Sequence, residues 1–155
     1  MRMNHSPLAL ILALTLAAPA LADAPLFVLE QSSLPFDLGP GAPQNQPSRQ
    51  ANSPNAAANS AANPANSAAS FANSPRNPAN EKRVIFTSDG TVLGYYVRNP
   101  AGVLNLFDRA GRRVAYAPKG SKSLFSGDGR WCGTIAPAQG GGFALGLVPS
   151  CANGF

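Results

Sequence analysis

The chain has 155 residues, with 15 Gly, 15 Pro, 8% aromatic and 12% charged residues, and a formal net charge of +5. One His and two Cys exclude a histidine-based metal cluster and a Cys-rich scaffold. The positive balance raises affinity for anionic partners and says nothing about fold.

The opening, MRMNHSPLALILALTLAAPALA, has Arg2 as a positive start and an apolar run over 8–18 broken only by Thr15. Pro19 precedes a small-x-small cleavage site, Ala20-Leu21-Ala22. Residues 1–22 therefore read as a secretory signal peptide. The run is shorter than the ~20 residues that a membrane span needs. No Cys stands near the site to carry a lipid, and no later segment is apolar enough to span a bilayer. The expected mature chain, 23–155, is exported, to the periplasm or beyond, without a transmembrane helix.

Residues 23–80 are expected to be mostly disordered. They begin with a short apolar patch, PLFVL (25–29). Residues 39–80 are almost all Ala, Asn, Ser, Pro, Gln and Gly, with Phe71 their only large apolar residue. Such a stretch buries too little apolar surface to offset chain entropy. Residues 51–80 divide into heptads: Asn recurs at 45, 52, 59, 66, 73 and 80, with Ser after it at 53, 60, 67 and 74. A coiled coil needs two large apolar positions per heptad, and Pro54, Pro64, Pro75 and Pro78 would each break a helix. Heptads stacked on Asn ladders would need a hydrophobic face, and one Phe does not make one. The segment reads as a solvated spacer of turns and extended pieces. It resembles the NSP-x-N-aromatic heptads of small exported bacterial proteins of unknown function. Those carry an aromatic in most copies, where this chain has mostly Ala.

Residues 81–155 are the part expected to fold. From Lys82 onward nine Lys and Arg face three Asp, a net +6. Three stretches align: FTSDGTVLGY (86–95), FDRAGRRVAY (107–116) and FSGDGRWCGT (125–134). Each starts with Phe and has Gly four residues on (Gly90, Gly111, Gly129). An apolar residue follows three later (Leu93, Val114, Cys132), then a small one (Gly94, Ala115, Gly133). Each unit reads as a β-hairpin whose turn ends in a Gly with φ > 0. Period-two alternation puts Leu93, Tyr95 and Val97 on one face, with Val114 and Tyr116, and Cys132 and Thr134, on its equivalents. The small residue leaves room where hairpins approach. One hairpin cannot bury its face alone, so they share a core, and GFALGLV (142–148) adds a strand. The fold class is all-β, about seven short strands in repeated hairpins. The pattern over 83–148 resembles the small four-fold β-flower domain, which implies short hairpins around a common centre and no known activity. LFDRAGRRVAY also resembles the tyrosine–aspartate repeat of toxin shells, but three units cannot enclose anything.

Cys132 and Cys151 are the only thiols, and in an exported chain an even count favours a disulfide. It would close a loop of about twenty residues, worth roughly 3 kcal/mol, in a domain with little core. Trp131 flanks Cys132 on the opposite strand face. It either covers a second apolar layer with Val92 and Ile135 or, with Arg130, Arg112 and Arg113, forms a ligand surface for sugars or anionic polymers. No catalytic, cofactor or metal-binding residues are expected. His5 lies in the signal, and Asp89, Asp108 and Asp128 sit where turns need them. The chain thus reads as an exported, non-enzymatic binding or interaction module of the bacterial envelope. Its partner class is an anionic polymer or protein, and nucleic acid is the last to expect outside the cell. The alternatives are a secreted structural or host-contact factor and, further off, a small hydrolase relying on Asp alone.

Overall fold

A computed structural model describes residues 25–30, 34, 41–46, 48–137 and 143–155. The signal-peptide reading of 1–22 lies outside the described residues. Eight strands form a closed barrel: β1 (Leu26–Glu30), β2 (Val84–Thr87), β3 (Val92–Arg98), β4 (Leu104–Asp108), β5 (Arg113–Ala117), β6 (Ser123–Ser126), β7 (Trp131–Pro137) and β8 (Phe143–Leu147). The all-β expectation holds, and the seven strands from Val84 onward are joined in chain order by antiparallel pairing.

The three aligned units are three hairpins of one design. Gly90, Gly111 and Gly129 have φ of 84°, 90° and 84°. Their N–H groups donate back to Thr87, Asp108 and Ser126 at 2.9, 3.0 and 2.8 Å. This is the four-residue turn ending in a left-handed Gly that the sequence called for. In each unit the next strand then bulges at the same place. Pairing skips Leu93, Val114 and Cys132. An unpaired residue shifts every later side chain to the other face. The expected faces are corrected accordingly: Leu93 and Cys132 pack with the barrel interior, while Tyr95, Val97 and Tyr116 lie in outer clusters. Immediately after the bulge, a side chain on Gly94 would overlap the Phe107 carbonyl.

The interior is filled by Leu26, Ile85, Tyr96, Leu104, Leu106, Leu124, Leu145 and Leu147, among others, as an eight-stranded barrel allows. The helix α1 (Pro149–Ala152) follows β8, with Val148, Ala152 and Phe155 packed on that interior. Cys132 and Cys151 form the disulfide, with Cα atoms 5.7 Å apart, and so hold α1 to β7.

Two segments outside 81–155 belong to the fold. The first is PLFVL, which sequence reading left as a patch. It supplies β1, parallel to both β2 and β8, and so closes the barrel. Leu26 is fully buried inside, while Phe27 stands outside against Phe86, ring centroids 4.2 Å apart. Adjacent parallel strands need a crossover connection, and here the chain between Glu30 and Val84 is that crossover.

The second is the heptad segment, where the expected disorder is corrected. It forms a belt of short 3-10 turns, at Pro43–Asn45, Gln50–Asn52, Pro64–Asn66, Phe71–Asn73 and Pro78–Asn80, with a simple turn around Asn59. The periodic asparagines are buried, from 0% exposed at Asn45 to 5% at Asn52. The amide nitrogens of Asn52, Asn59, Asn66, Asn73 and Asn80 each bridge the carbonyls eight and six residues back. Asn66 donates to Ala58 O and Ser60 O (2.8 and 2.9 Å), and Asn73 to Ala65 O and Ser67 O (2.8 and 3.0 Å). The belt does lack an apolar face of its own, as its composition says. The barrel provides one. Ala68 packs on Tyr95, Val97 and Phe107, and Ala58 on Val103, Tyr116 and Phe125. β4 is therefore covered on both faces, and its first four residues are all buried.

Candidate binding cleft

Polar groups on the outside of the barrel set the register of the belt. As the belt advances, its contacts run backwards through the strands. Ser123 on β6 donates to Asn45 Oδ1, and Tyr116 Oη on β5 donates to Asn52 O at 2.6 Å. Arg113 Nη1 donates to Asn59 O at 2.7 Å, and Tyr95 Oη on β3 to Asn73 O at 2.5 Å. Arg83, just before β2, donates to Asn80 Oδ1 at 2.9 Å. Asn66 is the centre of this network, since its Oδ1 accepts from Asn99 Nδ2 (2.7 Å) and Asn105 Nδ2 (2.9 Å). Burial pushes the Tyr95 hydroxyl up to about 12, helped by Asp108. Burial likewise takes Tyr116 to about 12, against the pull of Arg113.

The four residues expected to form a ligand surface part company. Arg113 lies under the belt, held by Asn105 Oδ1 and Asn59 O (both 2.7 Å) and over the Tyr116 ring at 4.7 Å. Desolvation lowers its pKa to about 10. Trp131 packs on the same Tyr116 cluster instead of with Val92 and Ile135, and its Nε1 is buried with no hydrogen-bond partner among the described residues. Arg112 and Arg130 are exposed at the turns, paired with Asp108 (2.9 Å) and Asp128 (2.8 Å). Arg112 also donates to Gly154 O at 2.6 Å.

The three aspartates serve their turns. Asp89 accepts from the Thr87 hydroxyl and from Thr91 N–H, which lower its pKa. Burial would raise Asp108, but hydrogen bonds from Arg112 and Ala110 outweigh it and the pKa falls. The Ser126 hydroxyl lowers Asp128 in the same way. Among the described residues no group of three His, Cys, Asp or Glu could hold a metal ion. Among them, too, no helix is long and apolar enough to cross a membrane.

A concave site opens where belt and barrel part. Between the last heptads and the end of β3 lies a cleft of about 520 Å³, with Asn77, Arg83, Arg98 and Asn99 on its walls. Ala65, Ala72 and Ala79, the residue before Asn in three successive heptads, line the belt side. Arg98 is exposed and donates to Gly102 O at 2.8 Å. Sequence reading missed this site because Arg83, Arg98 and Asn77 are neighbours only once the belt is docked. The one available signal was the Asn period itself, which marks buried positions and so says which side of the belt faces out. No family model matches this chain, and no curated protein or solved structure matches it either.

Proposed function

We propose that the protein is an exported, non-enzymatic binding module of the bacterial envelope, and that the cleft between belt and barrel is its ligand site. The observation that carries the reading is the make-up of that cleft: two guanidinium groups and several amides around about 520 Å³, with no carboxylate among the described residues that line it. Its volume falls within the roughly 300–1,000 Å³ of small-ligand sites. The signal-like N-terminus and the disulfide support export. The commitment of Asp89, Asp108 and Asp128 to turn hydrogen bonds supports a binding role over hydrolysis. A secreted host-contact factor is the second reading, favoured by a barrel that is closed and so presents no open strand edge to its surroundings.

Two measurements test this. Fractionation with N-terminal sequencing should find a chain beginning at Asp23 outside the cytoplasm. The purified, oxidised chain 23–155 should co-sediment with isolated envelope polymer, less so as salt rises. A cytoplasmic full-length chain, or no retention by any envelope fraction, refutes the proposal. Recovery from the culture supernatant alone favours the second reading.

A further inference from the structure

The barrel closes through one short strand that differs from the rest in how it is held. We infer that β1 is exchangeable between copies: the slot between β2 and β8 takes the β1 of a second copy of this chain, giving a reciprocal strand-swapped dimer.

The build of the slot is the first reason. From β2 to β8 the sheet is one antiparallel meander, each strand paired with the next in the chain. β1 is parallel to both its neighbours, over Leu26–Val28 with β2 and over Leu26–Glu30 with β8. Both walls are fixed independently of it. β8 pairs with β7 from Phe143 to Leu147, and the Cys132–Cys151 bond ties the helix after β8 to β7. β2 pairs with β3, and Arg83 just before it is bonded to Asn80 on the belt. Withdrawing β1 leaves two facing edges whose N–H and C=O groups template an extended strand.

The second reason is how β1 is anchored. Leu26 is fully buried, beside Ile85 and Phe143 in register, and Val28 packs on the interior. Phe27 and Leu29 face outward and are 37% and 36% exposed. Two inward side chains and the backbone ladders therefore hold the strand, with Phe27 leaning on Phe86. The same strand from a second copy restores each of these contacts. What separates monomer from dimer is then the freedom lost on association, which rising concentration offsets.

Reach is the third reason. β1 ends at Glu30, and the first belt turn is Pro43–Asn45. Fully extended, residues 31–42 can span at most about 40 Å. The belt's barrel partners run from Arg83 to Ser123, outside β1. The belt can thus stay on its own barrel while β1 lies in a neighbour's slot.

The test uses the oxidised chain 23–155, half of it isotope-labelled. The mixture is brought to its urea midpoint and returned to buffer at about 1 mM protein, the effective concentration of a flexibly tethered strand. Light scattering should find a dimer whose share rises with the protein concentration during refolding. Isotope-filtered spectra of that dimer should show Leu26 of one copy against Ile85 of the other. A wholly monomeric product, or a dimer without those cross-copy contacts, overturns the proposal. A peptide of residues 23–31 gives a second measurement. It should move the amide signals of Leu145 and Leu147 on β8. It should bind Leu26→Asp at least about tenfold more tightly than the unaltered chain, the scale of one lost leucine burial in the resident strand. Leu29→Asp, altered on the outward side, should bind it as the unaltered chain does. Equal affinity for the two variants places the peptide outside the slot and overturns the proposal. The dimer measurement needs only the unaltered chain, so it decides the matter even where Leu26→Asp does not fold.

Discussion

Asn66→Ala removes the centre of the contact between belt and barrel. The side chain is 1% exposed and makes four hydrogen bonds: two donated to Ala58 O and Ser60 O, and two accepted from Asn99 and Asn105. At roughly 0.5–1.5 kcal/mol net per bond, and with two amides and two carbonyls left buried, the loss should be about 3–5 kcal/mol. That is a large part of the ~5–15 kcal/mol that holds a domain together. The control is Asn55→Ala, an exposed Asn on the same belt, which should cost no more than about 0.5 kcal/mol. Urea titration of the oxidised protein at neutral pH measures both. Far-UV circular dichroism follows the barrel, and fluorescence of Trp131, packed beside Ala58 on the Tyr116 cluster, follows the belt. The two signals should move together in one transition. Equal midpoints for Asn66→Ala and Asn55→Ala would refute the buried network. A Trp131 transition well before the barrel's would refute the belt as part of one cooperative unit.

Four further outcomes are expected. Amide exchange should be slow at Asn59, Asn66 and Asn73, whose N–H groups are held by Ala56, Asn63 and Ser70, and uniform fast exchange over 50–80 would show that the segment is a loose spacer after all. Gly111→Val should lower the thermal midpoint further than Ala110→Val, because Gly111 has φ +90° and a Cβ there would meet Ala68 at 2.9 Å; equal effects would mean the turn and its belt contact are drawn wrongly. Replacing Cys132 and Cys151 together by Ser should cost about 3 kcal/mol without altering ligand binding, and free alkylation of both thiols without reductant would refute the bond. Tyr95 and Tyr116 have folded pKa values of about 12, above the ordinary 10. Their contribution is thus intact below pH 10 and lost as pH climbs from about 10 to 12; phenolate absorbance rising fully near pH 10 in the folded protein would contradict their burial.

The hairpins were legible because their signals are local. Gly90, Gly111 and Gly129 each announce a left-handed turn within four residues of a Phe, and backbone geometry leaves few alternatives. The pairing of Cys132 with Cys151 was legible because these are the only two thiols. The faces were not, since a bulge leaves no mark in the alternation of a five-residue strand, and one skipped residue sent Tyr95 and Tyr116 outside. The belt was illegible for a different reason. Its own residues supply hydrogen bonds and shape but no apolar surface, and the surface that orders it lies in residues 95–125, far along the chain. Judged alone, Ala58 and Ala68 cannot bury enough, and judged against Tyr116 and Phe107 they can. The cleft depended on that docking, and Arg98 read as one of nine scattered cations until Asn77 was placed opposite it.

The way β1 enters the barrel has a bearing on how the chain comes to be folded. The first strand made is flanked by the second and the last, so the ring shuts only where β1 meets β8. β1 can join β2 once residue 87 has been made, but its other edge stays open until β8 arrives, ending at Leu147. Such long-range closure is slow, and until it is complete the exposed edges invite pairing with other chains. Delivery in an unfolded state, followed by closure in one step, suits this order of strands. It also means that neither end can be trimmed as surplus: a fragment starting at residue 81 would lose both the strand that completes the ring and the belt that roofs it.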